Sequence, residues 1–294
     1  MSKVGWEVDY MNYIDRMLSK LLPNKVYKKR SYRKKYKHIR KSKLGLALKR
    51  NRKLKNIHKG SRCFVLGNGP SLSEVDLSKL SDEITFTVND LYYKEDFEKI
   101  HTDYHVFSDP YYFGELGDII NILTSKTKLK GIFLEGSGYQ NKSSKGLEDD
   151  YPIYYFTNGI EIEDVEFINM DLCKLLPYYC TVVQSAISIA VYMGFKEIYL
   201  LGCDCTGILN FIERSEKKDI TNYAYKLPDK EKEKQENIVI SCEHMFFEWH
   251  HIFKSYRLLN SYFKQKDIKL INLTEGGILD CIEKGNLKDV IQSK

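Results

Sequence analysis

The segment RCFVLGNGPSL, residues 62–72, constrains the fold of this chain more than any other stretch. Its apolar part, residues 63–66, is typical of a strand buried on both faces, as the central strands of a parallel sheet are. The Gly-Asn-Gly-Pro-Ser sequence that follows is typical of a turn that leads into a helix and cradles a phosphate group. The segment therefore predicts an α/β fold in which this turn is either a nucleotide site or an ordinary tight turn between strand and helix.

The residues of this turn support the nucleotide interpretation in two ways. Gly67 and Gly69 permit backbone angles and a close ligand approach that a β-carbon would block. Asn68 and Ser71 place polar atoms where the next helix presents unpaired N–H groups. Asn68, Gly69 and Ser71 are therefore candidate nucleotide-binding residues.

The length of 294 residues fits one large α/β domain with an appendage. No stretch reaches the roughly 18 apolar residues that a membrane span requires, and the N-terminus lacks the apolar core of a signal peptide. We therefore expect a cytoplasmic protein. The seven cysteines form no CxxC pair, which favours buried free thiols over disulfides or zinc ligands.

Charge divides the chain into two unequal parts. Residues 20–59 contain 18 Lys or Arg and no Asp or Glu. Residues 1–59 hold 20 basic and 3 acidic side chains, so residues 60–294 carry a net charge of −11 within a chain of net charge +6. This composition predicts a polybasic extension over residues 1–60 joined to an acidic body over residues 61–294.

The extension begins with a predicted surface helix. Apolar residues recur at spacings of three and four between Trp6 and Leu22, and Pro23 ends the pattern. A surface helix followed by a polybasic run is typical of an anchor on an anionic membrane, where each nearby basic residue contributes about 1 kcal/mol. We favour this partner, which places the protein at the inner face of the cell membrane. A contact between copies of the chain comes second, and nucleic acid third, since tyrosines are interleaved with the cations.

Further apolar runs predict the other strands of the sheet. The runs over residues 84–88 and 104–107 lead to Asn89 and Asp109, and residues 131–134 and 153–156 are further candidates. In an open parallel sheet the carboxyl ends of the strands lie along one edge, where such folds bind ligands. Asn89 and Asp109 are therefore candidate site residues, although either could also serve only a cap or a turn.

The clearest unit is a helix followed by a strand. The sequence QSAISIAVYM, residues 184–193, predicts a buried helix, and residues 197–202 predict a strand that leads to Asp204. Gln184 and Ser185 at the start of this helix, and Asp204 after the strand, carry the polar atoms. One cleft could collect them, although Asp204 could simply begin a loop.

The polar segment 206–240 contains Tyr223 and Tyr225 and is rich in charge, which predicts a lid or an insertion. Three elements are expected after it: a helix over residues 244–263, a strand over 269–273 and a short helix over 278–283.

His244 is the candidate base. It lies at the start of the predicted helix, ahead of an aromatic cluster, and a neutral imidazole there accepts a proton from a hydroxyl near pH 7. Glu243 beside it supports this role, and a structural histidine is the alternative. The histidines form no HExxH pattern, and no second ligand cluster lies near them, so no metal site is predicted.

Six motifs follow one another along the chain: GNGPSL, Asn89, a strand ending in Ser-Asp-Pro, a Gln-Ser helix followed by GFKEIYLLGCD, a histidine before a helix, and IKLINL. In order and spacing they resemble those of the bacterial sialyltransferases of glycosyltransferase family 42. The resemblance covers about residues 62–283. It extends to a sister group, the MptE-like DUF115 proteins, which include archaeal hydroxymethylpterin diphosphokinases. It implies a Rossmann-like, mostly parallel α/β sheet flanked by helices, a GT-A-like variant.

The resemblance also implies roles for residues near the nucleotide. Asn68, Gly69 and Ser71 would hold the nucleotide phosphate and ribose. Asn89 would contact the donor sugar or phosphate, and Asp204 would lie beside the base or ribose.

Further roles follow from the same resemblance. Asp109 stands where these sialyltransferases have asparagine. Gln184 and Ser185 replace a Thr-Ser pair, so that Ser185 would keep its donor contact. Tyr223 and Tyr225 would stabilise the departing phosphate.

The implied activity is transfer of a sugar, most simply a CMP-activated nonulosonate, to a glycan or glycolipid acceptor in capsule or lipooligosaccharide assembly. His244 would deprotonate the acceptor, with inversion at the sugar, and no metal would be needed because CMP leaves with a single phosphate. An MptE-like diphosphokinase is the alternative, in which Asp109 and Asp204 would hold magnesium on ATP. A noncatalytic protein that docks on a membrane or partner is the third possibility.

Overall fold

The computed structural model describes residues 20–140, 146–209, 223–226, 228 and 241–292. Most of the predicted N-terminal amphipathic helix, and most of the predicted lid, lie outside these residues. Among the described helices, none combines the length and the apolar character needed to span a membrane.

Eight strands form one sheet in which every neighbouring pair is parallel. In chain order they are β1 (Arg62–Leu66), β2 (Thr85–Val88), β3 (Tyr104–Phe107), β4 (Gly131–Glu135), β5 (Ile153–Phe156), β8 (Glu197–Leu201), β9 (Lys269–Asn272) and β10 (Glu283–Lys284). A separate parallel pair consists of β6 (Asn158–Glu161) and β7 (Leu176–Tyr178). The predicted Rossmann-like fold class is confirmed.

Helices cover both faces of the sheet. They are α1 (Asn24–Lys41), α2 (Lys43–Arg50), α3 (Leu116–Lys126), α4 (Leu147–Asp150), α5 (Val182–Met193), α6 (Cys242–Lys264) and α7 (Leu287–Gln292). Cys63 and Val65 of β1 belong to the core cluster that contains α5 and α6, whereas Phe64 and Leu66 belong to the cluster that contains α2 and α3. Side chains alternate along a strand, so an apolar run such as β1 has both faces buried.

The basic extension packs on the body. Leu44 and Leu48 of α2 are 5% and 1% exposed and share a core cluster with Phe64 of β1. On α1, the Lys28 Nζ atom lies 2.5 Å from Glu163 and 3.7 Å from Glu161. Part of the positive charge of residues 20–59 is therefore neutralised by the acidic body rather than presented to a partner.

The predicted helix over residues 278–283 is wrong. Leu279 and Ile282 are both buried, but this stretch is irregular and leads into β10. Gly276 and Gly277 turn the chain with φ values of +71° and +70°, and the Ile278 amide donates to the Asp204 carbonyl. The chain then adds one more parallel strand beside β9.

The strand order places a topological switch point between β1 and β8. Across the sheet the order is β10-β9-β8-β1-β2-β3-β4-β5, so the chain moves from β1 outward in one direction and later returns to the other side of β1. In open α/β sheets such a point leaves a crevice beyond the carboxyl ends of the two strands, where ligands bind. The turns after β1 and β8 therefore define the candidate site.

Candidate active site

The turns that follow β1 and β8 run side by side. The Gly67 amide donates to the Leu201 carbonyl at 2.8 Å, and the Gly69 amide donates to the Gly202 carbonyl at 2.8 Å. The two glycines of the turn are thus fixed by backbone bonds to the neighbouring strand end.

Both positions require glycine because the two turns lie so close together. A β-carbon on Gly67 would lie 2.5 Å from the Gly202 carbonyl oxygen, and one on Gly69 would lie 2.7 Å from the same oxygen and overlap the Asp204 carboxylate. Gly69 itself has an ordinary φ of −66°. The sequence pattern predicted that a ligand needs this space, whereas in the structure Asp204 and Gly202 occupy it.

Ser71 and Asp204 are joined directly. The Ser71 amide donates to Asp204 Oδ1 at 3.1 Å, and the Ser71 hydroxyl donates to Asp204 Oδ2 at 2.8 Å. Asp204 is 6% exposed, so its charge is compensated mainly by these two donors. The pair fixes the short helical turn Pro70–Glu74 to the end of β8.

A cavity of about 250 Å³ lies at this switch point. Its walls are residues 67–70 after β1, residues 202–207 after β8, Thr181 and Val183 at the start of α5, Tyr223, and the α6 residues Trp249, Ile252 and Tyr256. Of the predicted site residues, the structure brings Asn68, Gly69, Asp204 and Tyr223 to its surface.

The N-terminus of α5 points at the cavity wall. Thr181 caps this helix through its side chain, which accepts from the Val183 amide, and both residues line the cavity. The N-terminus of a helix of 12 residues carries a partial positive charge and unpaired N–H groups, which favour an anion. Sequence analysis missed Thr181, although a threonine directly before a buried helix is a helix-start signal.

Gln184 and Ser185 lie behind this wall. Both are almost fully buried in the first turn of α5, at 0% and 1% exposure. Gln184 Nε2 donates to the Ile252 carbonyl at 2.9 Å and so ties α5 to α6, which also lines the cavity. Gln184 therefore positions two walls of the cavity.

Several buried polar atoms near the switch point have no hydrogen-bond partner among the described residues. They are Asn68 Oδ1, Asn89 Oδ1, Gln184 Oε1 and the Tyr225 hydroxyl. Buried polar groups in proteins are nearly always paired, and each unpaired one costs about 1–3 kcal/mol. Three of these atoms are amide oxygens, which are acceptors that ligand hydroxyl or amino groups would satisfy.

Asn89 is held in an unusual conformation by a buried histidine. Its φ is +44°, and its carbonyl accepts from His105 Nε2 at 2.9 Å. The Thr87 hydroxyl lies 2.7 Å from His105 Nδ1. Burial lowers the pKa of His105 to about 3, so the ring is neutral and donates through Nε2 while Nδ1 accepts from Thr87. Sequence analysis missed His105, because the apolar strand pattern around it suggested only packing.

The two tyrosines of the predicted lid lie together. The Tyr223 and Tyr225 rings stack with centroids 5.4 Å apart, and the Ala224 amide between them donates to the Asn68 carbonyl at 3.0 Å. Tyr223 lines the cavity, whereas Tyr225 is 7% exposed and packs toward Tyr93. Burial raises the pKa of Tyr225, so its hydroxyl stays protonated and is available as a donor.

Asp109 does not line the cavity. It is exposed, and its carboxylate accepts from the Tyr111 amide at 2.9 Å, which caps a short helical turn. β3, which precedes Asp109, and β8, which precedes Asp204, are separated by β1 and β2, so these strand ends lie about 14 Å apart. The two carboxylates leave distant strands, and no group of three or more potential metal ligands occurs among the described residues.

His244 does not line the cavity either. Its side chain is 58% exposed, and its Nε2 atom lies 3.3 Å from Glu248 Oε1 one turn further along α6. The face of α6 that reaches the cavity is formed instead by Trp249, Ile252 and Tyr256. Sequence analysis missed these three residues, although their spacing of three and four is that of one helix face.

Comparison with known proteins gives distant structural likenesses. No family model matches the chain, and no curated protein matches it. The sialyltransferase CstII from Campylobacter jejuni, in complex with a substrate analogue, cytidine-5'-monophosphate, aligns with a TM-score of 0.48 and 18% identity over 77% of this chain and 85% of its own. The MAf glycosyltransferase from Magnetospirillum magneticum AMB-1 aligns with a TM-score of 0.44 and 12% identity over 85% of this chain and 39% of its own. A functional conclusion depends on the site itself.

Proposed function

We propose that this chain is a glycosyltransferase that binds a nucleotide-activated sugar in the cavity at the switch point. The observation that carries the proposal is the convergence there of the α5 N-terminus and the unpaired oxygen of Asn68. The helix N-terminus favours a phosphate, and the Asn68 oxygen can accept a hydrogen bond from a hydroxyl or amino group of a nucleoside. The family resemblance of the motifs that supply these residues supports the same activity.

The finer proposal is a CMP-activated nonulosonate as the donor. The phosphate would lie at Thr181 and Val183, and Asn68 Oδ1 would accept from the ribose or the base. Ser71 and Asp204 bind each other, so we propose that they shape the turn for the nucleotide, with the ribose or base beside Asp204. Asn89, Gln184 and Ser185 extend the proposed donor site, and Asp109 remains a peripheral candidate.

The proposed reaction is an inverting displacement. The acceptor oxygen attacks the anomeric carbon, the bond from that carbon to the phosphate oxygen breaks, and CMP leaves with the electron pair. Tyr223, which lines the cavity, or the protonated Tyr225 donates to the leaving phosphate. The acceptor proton passes to His244 as the proposed base, and because His244 lies outside the cavity wall, the acceptor would have to extend from the cavity to the start of α6.

The role of His244 is tested by His244→Ala. A general base contributes roughly 10² to 10⁴ in rate, so turnover should fall by that factor while CMP affinity stays unchanged. His250→Ala is the matched control, because His250 is exposed on the same helix and has no proposed role. Full activity of His244→Ala would remove His244 from the mechanism and leave the nucleotide site standing.

The acceptor and location are also proposals. We propose a glycan or glycolipid acceptor of the capsule or lipooligosaccharide kind, reached at the inner face of the cell membrane. Residues 1–60 would hold the protein there. The many Lys and Arg residues of this extension support an anionic membrane as its partner.

One experiment separates the proposed transferase from its alternatives. The melting temperature of the full chain is measured with CMP, CDP, UDP, GDP and ATP, each with magnesium and with EDTA. A ligand that binds only the folded state at 100 times its Kd stabilises it by about 2.7 kcal/mol. CMP should stabilise the protein equally with EDTA. A magnesium-dependent effect of ATP alone would support the diphosphokinase, and the absence of any nucleotide effect would support a noncatalytic protein.

A further inference from the structure

A second cavity, of about 460 Å³, lies where the extension meets the body. Its walls come from the end of α1, from α2 and the turn after it, from the loop around Asp171, and from Tyr192 at the C-terminal end of α5. None of its described wall residues lines the switch-point cavity. Because α5 spans 12 residues, the two cavities lie near opposite ends of a helix about 18 Å long.

Five cations line this cavity: Arg40, Lys49, Arg52, Lys55 and Lys174. Among the described wall residues the only carboxylate is that of Asp171, which pairs with Lys174 at 2.9 Å. The other four cations are exposed and make no side-chain hydrogen bond or ion pair with any described residue. The wall therefore carries a net excess of four positive charges, with Asp171 as the one described wall carboxylate near them.

Other cations of the extension differ from these four. Lys25 pairs with Asp164 at 3.1 Å, Lys28 pairs with Glu163, and Arg50 pairs with Glu148. Lys35 donates to the Gly159 carbonyl at 3.1 Å. The body thus supplies partners to several cations of the same two helices, whereas four exposed cations without such a partner lie around one cavity.

The cavity also has apolar and aromatic surface. Leu48 is 1% exposed and forms part of its wall together with Ile39, Tyr36 and Tyr192. The Tyr192 hydroxyl lies 3.4 Å from Cys173 Sγ, and both residues line the cavity. A ligand that fills this space would combine negative charge with an uncharged organic part.

We infer that this cavity binds a phosphate-bearing organic ligand through Arg40, Lys49, Arg52 and Lys55. Arginine and lysine are the usual partners of phosphate, and guanidinium groups bind it with two parallel hydrogen bonds. The organic part would lie against Tyr36, Ile39 and Tyr192. The same chemistry is offered by the headgroup of an anionic phospholipid and by a soluble phosphate ester, and this site is independent of the proposed nucleotide site.

The first test compares two double variants of the full chain. Arg40→Gln with Arg52→Gln removes two exposed charges at the cavity, and Arg33→Gln with Lys37→Gln removes two likewise exposed charges of α1 outside it. Binding is measured by calorimetry with inorganic pyrophosphate, and by sedimentation with vesicles of phosphatidylglycerol and phosphatidylcholine in equal parts, at physiological ionic strength. The cavity variant should bind about tenfold more weakly or worse, and the control should change less than about twofold.

The second test localises the ligand without any substitution. Cys173 lines the cavity, whereas Cys242 is exposed at the start of α6, so alkylation of the two thiols is followed by mass spectrometry. Pyrophosphate should slow alkylation of Cys173 and leave Cys242 unchanged.

The outcomes separate the two sources and can overturn the site. Protection of Cys173 by phosphatidylglycerol vesicles assigns the cavity to a lipid headgroup, and protection by pyrophosphate alone assigns it to a soluble phosphate. Equal weakening of both double variants, or unchanged alkylation of Cys173 with both probes, would overturn the proposal.

Discussion

Two regions of the molecule are rich in polar side chains: the cleft between β1 and β8, and the contact between α1 and residues 161–166. They differ in whether the polar atoms have partners within the protein. At the α1 contact Lys28 pairs with Glu161 and Glu163, and Lys254 of α6 completes the group from the other side. At the cleft the buried oxygen of Asn68 has no partner among the described residues. A satisfied network indicates a structural contact, whereas unpaired acceptors beside a helix N-terminus indicate a ligand site.

Within the cleft itself, some residues contact only the protein and others have unpaired atoms. Gly67, Gly69 and the Ser71–Asp204 pair are fully engaged within the protein, so they build the cleft. The comparison therefore predicts two kinds of variant at the cleft, those that damage the fold and those that affect only the ligand.

The largest effect on stability is expected from Gly69→Ala. The new methyl group would collide with the Gly202 carbonyl oxygen and the Asp204 carboxylate, and overpacking of this kind should lower the free energy of unfolding by about 3 kcal/mol. Urea unfolding followed by circular dichroism measures this loss. Gly114→Ala is the control, because a β-carbon at Gly114 would meet no other atom within 4 Å. Equal stability of the two variants would show that the turn has room for a side chain.

A somewhat smaller loss is expected from Asp204→Ala. This variant leaves the amide and hydroxyl of Ser71 without their acceptor, but it also removes the cost of burying a carboxylate, so the net loss should be about 2 kcal/mol. Ser71→Ala removes only one of the two bonds and should destabilise less in the same urea experiment. If Ser71→Ala proved the more destabilising, the carboxylate would not be the centre of this contact.

Glu163→Gln tests the contact between α1 and residues 161–166, where the charged groups are paired. Hydrogen bonds from Lys254 and Lys28 lower the pKa of Glu163 to about 2, below its ordinary value of 4.5. The ionised group therefore stabilises the folded state above pH 4.5, and this contribution is lost as the pH falls through about 2. We expect Glu163→Gln to lower the free energy of unfolding at pH 7 by about 2 kcal/mol.

The control for that variant is Glu166→Gln. The Glu166 side chain is 69% exposed and pairs with an exposed lysine, so its loss should cost no more than about 0.5 kcal/mol. The difference between Glu163→Gln and the wild type should shrink toward pH 2. A difference that stayed constant over the acid range would mean that the ion pairs do not stabilise the fold.

Much of the fold could be predicted from the sequence because apolar runs and helix-ending residues are local signals. β1, β3 and β8 are apolar runs with polar residues after them, and Gly194 ends α5 with a φ of +98° as a helix-ending glycine does. The pattern failed at residues 278–283, where Leu279 and Ile282 are buried without a helix.

The site was less predictable because its geometry depends on contacts between distant residues. Asn68, Asp204 and Tyr223 were identified from positions at strand ends and in the polar insertion, and they meet at one cavity. The bond between Ser71 and Asp204 joins residues 133 apart, and no local signal encodes it. His105 and Thr181 were missed for the same reason, since their roles appear only when their neighbours are in place.

The most direct test of the central claim uses Asn68→Ala. Its side-chain oxygen has no partner among the described residues, and its backbone carbonyl still accepts from Ala224, so the melting temperature without ligand should stay within about 2 °C of the wild type. Calorimetric titration with CMP should show a Kd about tenfold higher, the loss of one hydrogen bond to the nucleotide. An unchanged Kd for CMP together with a lowered melting temperature would contradict the claim, because Asn68 would then serve the fold and not a ligand.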